Sequence, residues 1–266
     1  MRPADPSDLT LALTLADQAD AIAGSAFLRA DLLVETKPDL TPVTEADRAV
    51  EVALRQQIAA SRPADAVIGE EYGTSGAGDR RWIIDPIDGT KNFVRGIPVW
   101  ATLIALEVSG ELTVGVASAP ALGRRWWAGR GLGAWVASPA GADRRRLGVS
   151  GVRRLDDAQL SYSSLSGWKP LEPLLDLASR CWRTRAFGDF WSHLLVAEGA
   201  VDIGLDPEVS LWDLAALQII VEEAGGCFTD LSGLARADGG SAMSSNGLLH
   251  DEALAILRPS DDRPRG

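Results

Sequence analysis

The sequence predicts an α/β protein in which helices and strands are mixed along the whole chain. Two helical patterns come first, short apolar strand patterns fill the middle, and strands alternate with helices in the second half. The chain has 266 residues, is 46% hydrophobic and contains nine Trp, so it can bury a sizeable core. A change of pattern near Leu147 divides it into predicted halves over 1–147 and 148–258, followed by a flexible tail over 259–266.

Two helices and a short strand are predicted in the first quarter of the chain. The helices cover 7–30 and 45–60, because apolar residues in both recur at helical spacing. A strand is predicted between them over 32–36. Thr44 and Asp47 resemble a capping box at the start of the second helix, so capping is one explanation of Asp47.

The middle of the chain predicts consecutive strands. A brief strand over 66–68 ends at Glu70 and Glu71, and in an extended chain only one of these two side chains would face a site. A polar, basic loop is predicted over 140–146. Further strands are predicted at 99–107, 112–119, 125–128 and 133–137.

The second half alternates strand and helix. Asp189 and Asp213 both fall at or near predicted helix starts, where Asp is favoured for capping, so capping is an alternative to function for each. Strands are predicted over 159–163, 182–187, 201–205, 227–229 and 241–244, and helices over 171–180, 189–197 and 211–224.

Composition excludes several classes of protein. The formal net charge of −11 argues against nucleic acid as a partner, although a metal can still hold a small anionic substrate. Two Cys and two His cannot build a disulfide framework or a Cys/His zinc cluster. The start of the chain lacks the pattern of a signal peptide, and no stretch is apolar enough to span a membrane. A cytoplasmic protein is therefore expected.

The most informative stretch runs from Trp82 to Phe93. Its apolar start predicts a buried strand that stops at Asp85, because Pro86 removes a backbone donor, and Asp88 follows across a turn. Two carboxylates on one turn suit Mg²⁺ or Mn²⁺ rather than Zn²⁺. The amides that follow Asp88 could receive a phosphate oxygen. Taken alone, the same residues are equally well explained as a turn.

Several oxygen ligands together carry more weight than this turn alone. Carboxylates and one carbonyl stand at the ends of predicted elements, and capping does not explain all of them at once. They are Glu70, Asp85, the carbonyl of Ile87, Asp88 and Asp213. The stretches around them, Gly69-Glu70-Glu71, Trp82 to Thr90 and Trp212-Asp213-Leu214-Ala215, are similar to motifs of the inositol monophosphatase family of Mg²⁺-dependent, lithium-sensitive phosphomonoesterases. The resemblance covers most of the chain.

The resemblance implies a fold and a set of roles. The family fold is a layered αβαβα sandwich of the inositol monophosphatase and fructose-1,6-bisphosphatase type. It implies that Glu70, Asp85, Ile87, Asp88 and Asp213 bind two or three Mg²⁺ ions, which Mn²⁺ could replace. Glu70 and Thr90 would hold the attacking water, with Asp47 as the partner of Thr90. The amides of Gly89 and Thr90 would hold the phosphate.

Direct attack by a metal-activated water is expected, because the chain has only two His and neither lies in the motifs. The expected partner is a small phosphorylated metabolite, with no nucleic acid and no membrane, and the resemblance implies a homodimer.

Finer similarities concern the substrate. The stretches over 37–44, 88–96 and 185–190 are most similar to family members that hydrolyse L-histidinol phosphate in the actinobacterial histidine pathway. That substrate carries an ammonium and an imidazole, so its pocket should offer carboxylates, for which Asp189 and Asp206 are the candidates.

Other expected substrate contacts come from Asp88, Gly89, Thr90, Lys91, Arg185 and Asp213. The alternatives are an inositol-1-phosphate or broad sugar-phosphate phosphatase and, more remotely, a non-catalytic metal-binding interaction protein.

Overall fold

The computed structural model describes residues 3–38, 41–139, 141 and 143–258. The predicted tail over 259–266 lies outside these residues. The described helices are α1 (Pro6–Ala26), α2 (Glu45–Ser61), α3 (Thr90–Val94), α4 (Glu172–Arg180), α5 (Asp189–Ala197), α6 (Leu211–Glu223) and α7 (His250–Leu257).

Most strands belong to the first half of the chain. They are β1 (Val34–Thr36), β2 (Pro42–Thr44), β3 (Ala66–Gly69), β4 (Gly73–Ser75), β5 (Arg80–Asp88), β6 (Ala101–Val108), β7 (Glu111–Ala119), β8 (Arg124–Gly129), β9 (Gly133–Ala137) and β10 (Arg145–Arg146). The second half adds β11 (Gln159–Tyr162), β12 (Arg183–Arg185), β13 (Ile203–Asp206), β14 (Cys227–Thr229) and β15 (Ala242–Ser245).

These strands form two main sheets and one small ribbon. The larger sheet has the order β10-β9-β8-β7-β6-β5-β3-β4 and is antiparallel except where β3 runs parallel to β5. The smaller sheet has the order β12-β11-β13-β15-β14, and the ribbon pairs β1 with β2. The predicted boundary near Leu147 falls between the two main sheets and remains a prediction as a domain boundary.

Helices and sheets alternate in five layers, three of helices and two of sheet. One apolar cluster joins α1 and α2 to one face of the larger sheet, and a second joins α5 and α6 to its other face. The smaller sheet contacts α5 on one face and packs α4 and α7 against the other. The predicted αβαβα sandwich is therefore confirmed.

Strand β5 shows how the sequence supports this layering. Trp82 and Ile84 belong to the cluster beside α1 and α2, whereas Ile83 belongs to the cluster beside α5 and α6. Because successive strand residues point to opposite faces, a continuous apolar run fills both clusters at once.

The prediction that this strand stops at Asp85 is wrong. Strand β5 continues through Pro86 to Asp88, and its register with β6 shifts between Asp85 and Asp88. A proline is tolerated at such an irregularity, where the ladder does not need its amide. The carbonyl of Pro86 accepts a 2.7 Å hydrogen bond from Thr102 Oγ1, which anchors the shifted segment.

Other elements also differ from the expectation, for example one helix and one short strand. Helix α7 was not predicted, although Ala253, Leu254 and Leu257 have helical spacing and are buried. The end of the predicted basic loop forms β10, whose residues Arg145 and Arg146 pair with β9 and remain exposed.

Candidate active site

A cavity of about 650 Å³ opens where the end of β5 meets the starts of α3, α5 and α6. Its lining brings together every predicted site residue except Asp47 and Arg185. The predicted residues in its wall are Glu70, Asp85, Ile87, Asp88, Gly89, Thr90, Lys91, Asp189, Asp206 and Asp213. Side chains far apart in the sequence thus line one cavity.

Three carboxylates form the floor of this cavity. One oxygen from each of Asp85, Asp88 and Asp213 lies within 4.8 Å of the others. Burial, followed by the charge of Glu70, raises the pKa of Asp85 well above its ordinary value, and burial with the charge of Asp189 does the same for Asp88. Burial also raises the pKa of Asp213 to about 6. A divalent cation bound by this all-oxygen set would offset the repulsion.

Backbone amides hold each of these carboxylates in place. Asp85 Oδ1 accepts from the amide of Ile87 at 3.0 Å, and Asp88 Oδ2 accepts from the amide of Phe190, at the start of α5, at 2.8 Å. Asp213 Oδ2 accepts from the amide of Ser210 at 2.7 Å. Ser210 is the N-cap of α6, so Asp213 completes a capping box at the third helical position rather than being the N-cap itself.

Glu70 lies beside the cluster and is paired with a lysine. Lys37 Nζ donates to Glu70 Oε1 at 2.7 Å and to Glu71 Oε1 at 2.5 Å. Partial burial opposes the charge on Lys37, but the hydrogen bonds that it donates to the two carboxylates outweigh this effect and raise the pKa of Lys37. Of the two Glu side chains, only Glu70 lines the cavity, which agrees with the expectation, although Lys37 contacts both.

Asp47 reaches the site through Thr90. Asp47 Oδ2 accepts from the amide and the hydroxyl of Thr44, which completes the predicted capping box. Its other oxygen lies 3.4 Å from Thr90 Oγ1, which is also 3.0 Å from the carbonyl of Ile87. The side chain of Asp47 therefore both caps α2 and contacts a residue of the cavity wall.

Gly89 sits at the turn into α3, where a side chain would not fit. Its φ of +80° is in the left-handed region. A Cβ there would lie 2.9 Å from the carbonyl oxygen of Val99 and 3.2 Å from Asp189 Oδ2. The residue therefore brings the backbone close to the acidic wall of the cavity.

That acidic wall is formed by Asp189 and Asp206. Gly188 is the N-cap of α5, and Asp189 is its first helical residue, with its Oδ2 accepting from Asn92 Nδ2 at 3.2 Å. Burial and the charge of Asp206 raise the pKa of Asp189 to about 6, although Lys91 opposes the shift. Both carboxylates thus face a space large enough for a small molecule.

Two predicted residues stand apart from the cavity or at its edge. Arg185 is exposed, does not line the cavity, and donates from Nη1 to the carbonyl of Thr184 at 2.8 Å. Lys91 lines the cavity but is exposed. A substrate contact from Arg185 remains a prediction that this arrangement does not support.

Sequence reasoning missed one buried residue behind the site. His193 Nε2 lies 2.7 Å from Asp206 Oδ2, yet no local spacing in the sequence indicates this contact. The only available signal was that a histidine follows Asp189 by one helical turn.

Comparison with known proteins identifies the family. A model of the inositol monophosphatase family matches residues 6–261. The chain belongs to the inositol monophosphatase family. As a member of that family it is an enzyme that hydrolyses phosphate monoesters, and the expected enzyme class is confirmed.

Within the inositol monophosphatase family, two similar proteins carry the name histidinol-phosphatase. The one from Mycobacterium tuberculosis is 59% identical over 254 residues, which cover 94% of this chain and 97% of that protein. The one from Streptomyces coelicolor is 55% identical over 257 residues, which cover 94% of this chain and 96% of that protein. The expected resemblance to this actinobacterial branch is confirmed.

A solved structure shows the same fold. The IMPase of Thermotoga maritima aligns with a TM-score of 0.85 and 33% identity, over 94% of this chain and 96% of that one. Among the described helices of the present family member, none combines the length and apolar character needed to cross a bilayer.

Proposed function

We propose that this enzyme is a Mg²⁺-dependent phosphatase that hydrolyses L-histidinol phosphate to L-histidinol and phosphate. The observation that carries the proposal is an acidic wall, formed by Asp189 and Asp206, in the same cavity as the carboxylate cluster. A phosphate ester whose alcohol is cationic suits a cavity of this kind. The names of the Mycobacterium tuberculosis and Streptomyces coelicolor relatives support the same substrate.

The residues present fit a Mg²⁺ site. Asp85, Asp88 and Asp213, with Glu70 and the carbonyl of Ile87, would hold two or three Mg²⁺ ions, or Mn²⁺ in their place. When bound, Mg²⁺ supplies neutralisation of the phosphate charge and lowers the pKa of the attacking water.

The remaining steps fall to side chains. Thr90 can donate its hydroxyl proton to Asp47 Oδ1, which leaves its oxygen free to accept from the attacking water. Glu70, which Lys37 contacts at 2.7 Å, is placed to take one proton from that water as the water oxygen bonds to phosphorus. The ester oxygen leaves with the electron pair of the broken P–O bond and takes a proton to give the alcohol. The amides of Gly89 and Thr90 would orient the phosphate, and Asp189 and Asp206 the cationic alcohol. Direct attack by water requires no covalent enzyme intermediate.

Phosphate release from a substrate panel tests the proposal. The panel is L-histidinol phosphate, inositol 1-phosphate, fructose 1,6-bisphosphate and adenosine 3′,5′-bisphosphate at fixed Mg²⁺. We expect kcat/KM for L-histidinol phosphate to exceed the others by roughly 100-fold, which is about 2.7 kcal/mol of transition-state discrimination. If inositol 1-phosphate gave the highest kcat/KM, or if all four values were similar, the substrate assignment would be wrong. The assignment as a phosphatase would stand.

A single variant separates a working enzyme from a metal-binding interaction protein. Glu70→Gln keeps the size of the side chain but removes the base, so we expect Mg²⁺-dependent phosphate release to fall by at least about 10²–10³-fold. Equal release from the variant and the natural enzyme would contradict the role of Glu70. A homodimer, which gel filtration with light scattering would detect, and inhibition by lithium are further proposals from the family.

A further inference from the structure

A buried histidine lies directly behind the acidic wall of the cavity. His193 is in the middle of α5, is fully buried, and bridges two polar side chains of the smaller sheet. Its Nε2 lies 2.7 Å from Asp206 Oδ2, and its Nδ1 lies 2.8 Å from Ser244 Oγ. Since Asp206 lines the cavity, this chain of contacts connects the interior to the place where a ligand binds.

The two contacts limit what each ring nitrogen can do. Carboxylate oxygens accept hydrogen bonds, so Nε2 is the ring nitrogen that donates to Asp206. Nδ1 and the hydroxyl of Ser244 share the second hydrogen bond, in which the hydroxyl can donate or accept. Ser244 is the ladder partner of Gly204, and its Oγ lies so close to that residue that a Cβ there would be 2.7 Å away. The ring that donates to Asp206 is thus also contacted from β15, on the side away from the cavity.

A second buried histidine shows the arrangement that structure alone requires. His250 lies 3.0 Å from Thr229 Oγ1 through Nε2 and 2.9 Å from Ser245 Oγ through Nδ1. Both of its partners are hydroxyls, and neither lines the cavity. His193 differs because one of its partners is a carboxylate in the cavity wall.

We propose that His193 is a positioning residue that orients the carboxylate of Asp206 and thereby sets the preference of the cavity for esters of cationic alcohols. With Oδ2 held from behind, Oδ1 is the oxygen that the ligand cation contacts. The identity of the cation rests on the proposed function. The role of His193 in holding Asp206 rests on the contacts themselves.

The decisive measurement is a ratio of two kcat/KM values, for L-histidinol phosphate and for 4-nitrophenyl phosphate, whose alcohol carries no cation. In His193→Phe the donor is lost, and we expect this ratio to fall at least 10-fold, mainly through KM for L-histidinol phosphate. In His193→Gln the side-chain amide can reach the position of Nε2 and donate to Asp206. We expect the ratio in this variant to recover most of the way to the value of the natural enzyme. In His250→Phe, the matched control, a similar loss of stability should leave the ratio unchanged.

The outcomes separate the two proposals. A natural enzyme with no preference for L-histidinol phosphate would overturn both the substrate and this inference. A natural enzyme that has the preference, with His193→Phe retaining it, would overturn the inference alone. An equal fall in His250→Phe would also overturn it, because a general loss of packing would then be sufficient.

A spectroscopic measurement covers the case in which His193→Phe does not fold. The chain has only two His, so ¹⁵N-histidine labelling gives two imidazole rings to assign. We expect Asp206→Asn to shift the ring nitrogens of His193 and to leave those of His250 in place. Unchanged signals from both rings would overturn the contact on which the inference depends.

Discussion

Asp189 combines an unusual backbone with a place in the cavity wall. Its φ is +45°, a conformation that residues other than Gly adopt at a cost of roughly 1–2 kcal/mol. Asp tolerates this region better than most residues. The conformation places its carboxylate against Asn92 and beside the space that the absent side chain of Gly89 leaves open.

We predict that Asp189→Asn weakens binding of L-histidinol phosphate, with KM rising about 10-fold and KM for 4-nitrophenyl phosphate changing much less. The physical reason is that the amide keeps the contact with Asn92 but loses the charge. The pKa of Asp189 is raised to about 6, so its carboxylate is ionised above that pH and protonated below it. KM of the natural enzyme should therefore rise as pH falls from 7 to 5.

The Asp189→Asn variant is also the reference for this pH dependence. Phosphate and imidazole groups of the substrate titrate in the same range, so both enzymes share that part of the profile. Only the difference between the KM–pH profiles of the two enzymes reports the ionisation of Asp189. Parallel profiles, or equal increases in KM for both esters, would contradict its role in recognition.

A second residue-scale prediction concerns Gly89. Gly89→Ala meets both a left-handed φ of +80° and a backbone oxygen 2.9 Å away, whereas Gly110→Ala meets only a φ of +83° in open space. We expect Gly110→Ala to lose about 1 kcal/mol of unfolding free energy with normal activity. Gly89→Ala should lose more and should also lose most of its activity. Urea unfolding and phosphate release measure the two effects, and identical behaviour of the variants would refute the steric argument.

At the scale of elements, helix starts position the side chains that the strands present. Strand β5 carries Asp85 and Asp88 on either side of its register shift. The amide of Phe190 at the start of α5 donates to Asp88, and the start of α6 contributes Asp213. Backbone donors at helix starts favour negative charge, so these elements offset part of the cost of crowding carboxylates together.

An aspartate in the turn after β14 provides a pH-dependent stability prediction. Burial opposes the charge of Asp230, but hydrogen bonds from Ser232, the amide of Leu234 and Arg236 outweigh it and lower its pKa to about 2. Since the ordinary pKa is 3.8, the folded state holds the proton less tightly than the unfolded state. The stabilisation is therefore complete above about pH 4 and is lost as pH falls towards 2.

We expect Asp230→Asn to lower the unfolding free energy by about 1–2 kcal/mol at pH 7. The lowered pKa of Asp230 sets the upper end of this range of free energy. The lower end allows for solvent screening of Arg236, whose side chain is 45% exposed. Urea unfolding at pH 7 and at successively lower pH values should show the gap closing in acid. A gap that stays constant with pH would mean that lost packing, rather than charge, causes the effect.

At the scale of the whole molecule, the site exists only where the two predicted halves meet. Asp85 and Asp88 come from the larger sheet, whereas Asp213 lies in the first turn of α6, a helix of the second half. The middle helical layer, α5 and α6, packs against the larger sheet. On its opposite side, His193 of α5 contacts the smaller sheet. Correct layering of the whole chain is thus required before any of the carboxylates can cooperate.

This crowding predicts that metal and stability are linked. The pKa of Asp213 is raised to about 6, so at pH 7 its ionised form destabilises the folded state relative to the unfolded one, by on the order of 2–3 kcal/mol without a cation. We expect Mg²⁺ to raise Tm of the natural enzyme. Asp213→Asn should have a higher Tm than the natural enzyme after chelation, a smaller response to Mg²⁺, and little activity.

Differential scanning calorimetry with and without Mg²⁺ tests this linkage. Lowering the pH from 7 to 5 should raise the stability of the chelated natural enzyme relative to the variant, because protonation removes the same penalty. Asp79→Asn, an exposed position outside the cavity lining, provides a control for a general loss of negative charge. A variant that is less stable than the natural enzyme after chelation would refute the prediction.

The sequence by itself determined the helical faces, the strands and the motif that supplies the cavity floor. Spacing of apolar residues identified α1, α2 and α6, and the run over Trp82 to Ile84 identified a strand buried on both faces. These features depend on residues that are neighbours along the chain, so their periodicity is visible without a structure.

Only the tertiary structure decided which distant side chains meet. Lys37 pairs with Glu70 and Glu71 across 33 and 34 residues, and His193 reaches Asp206 from another layer. It also kept Arg185 out of the cavity and continued β5 past Pro86. Such contacts follow from how sheets and helices pack rather than from local spacing, because hydrogen-bond partners are set by distances between layers.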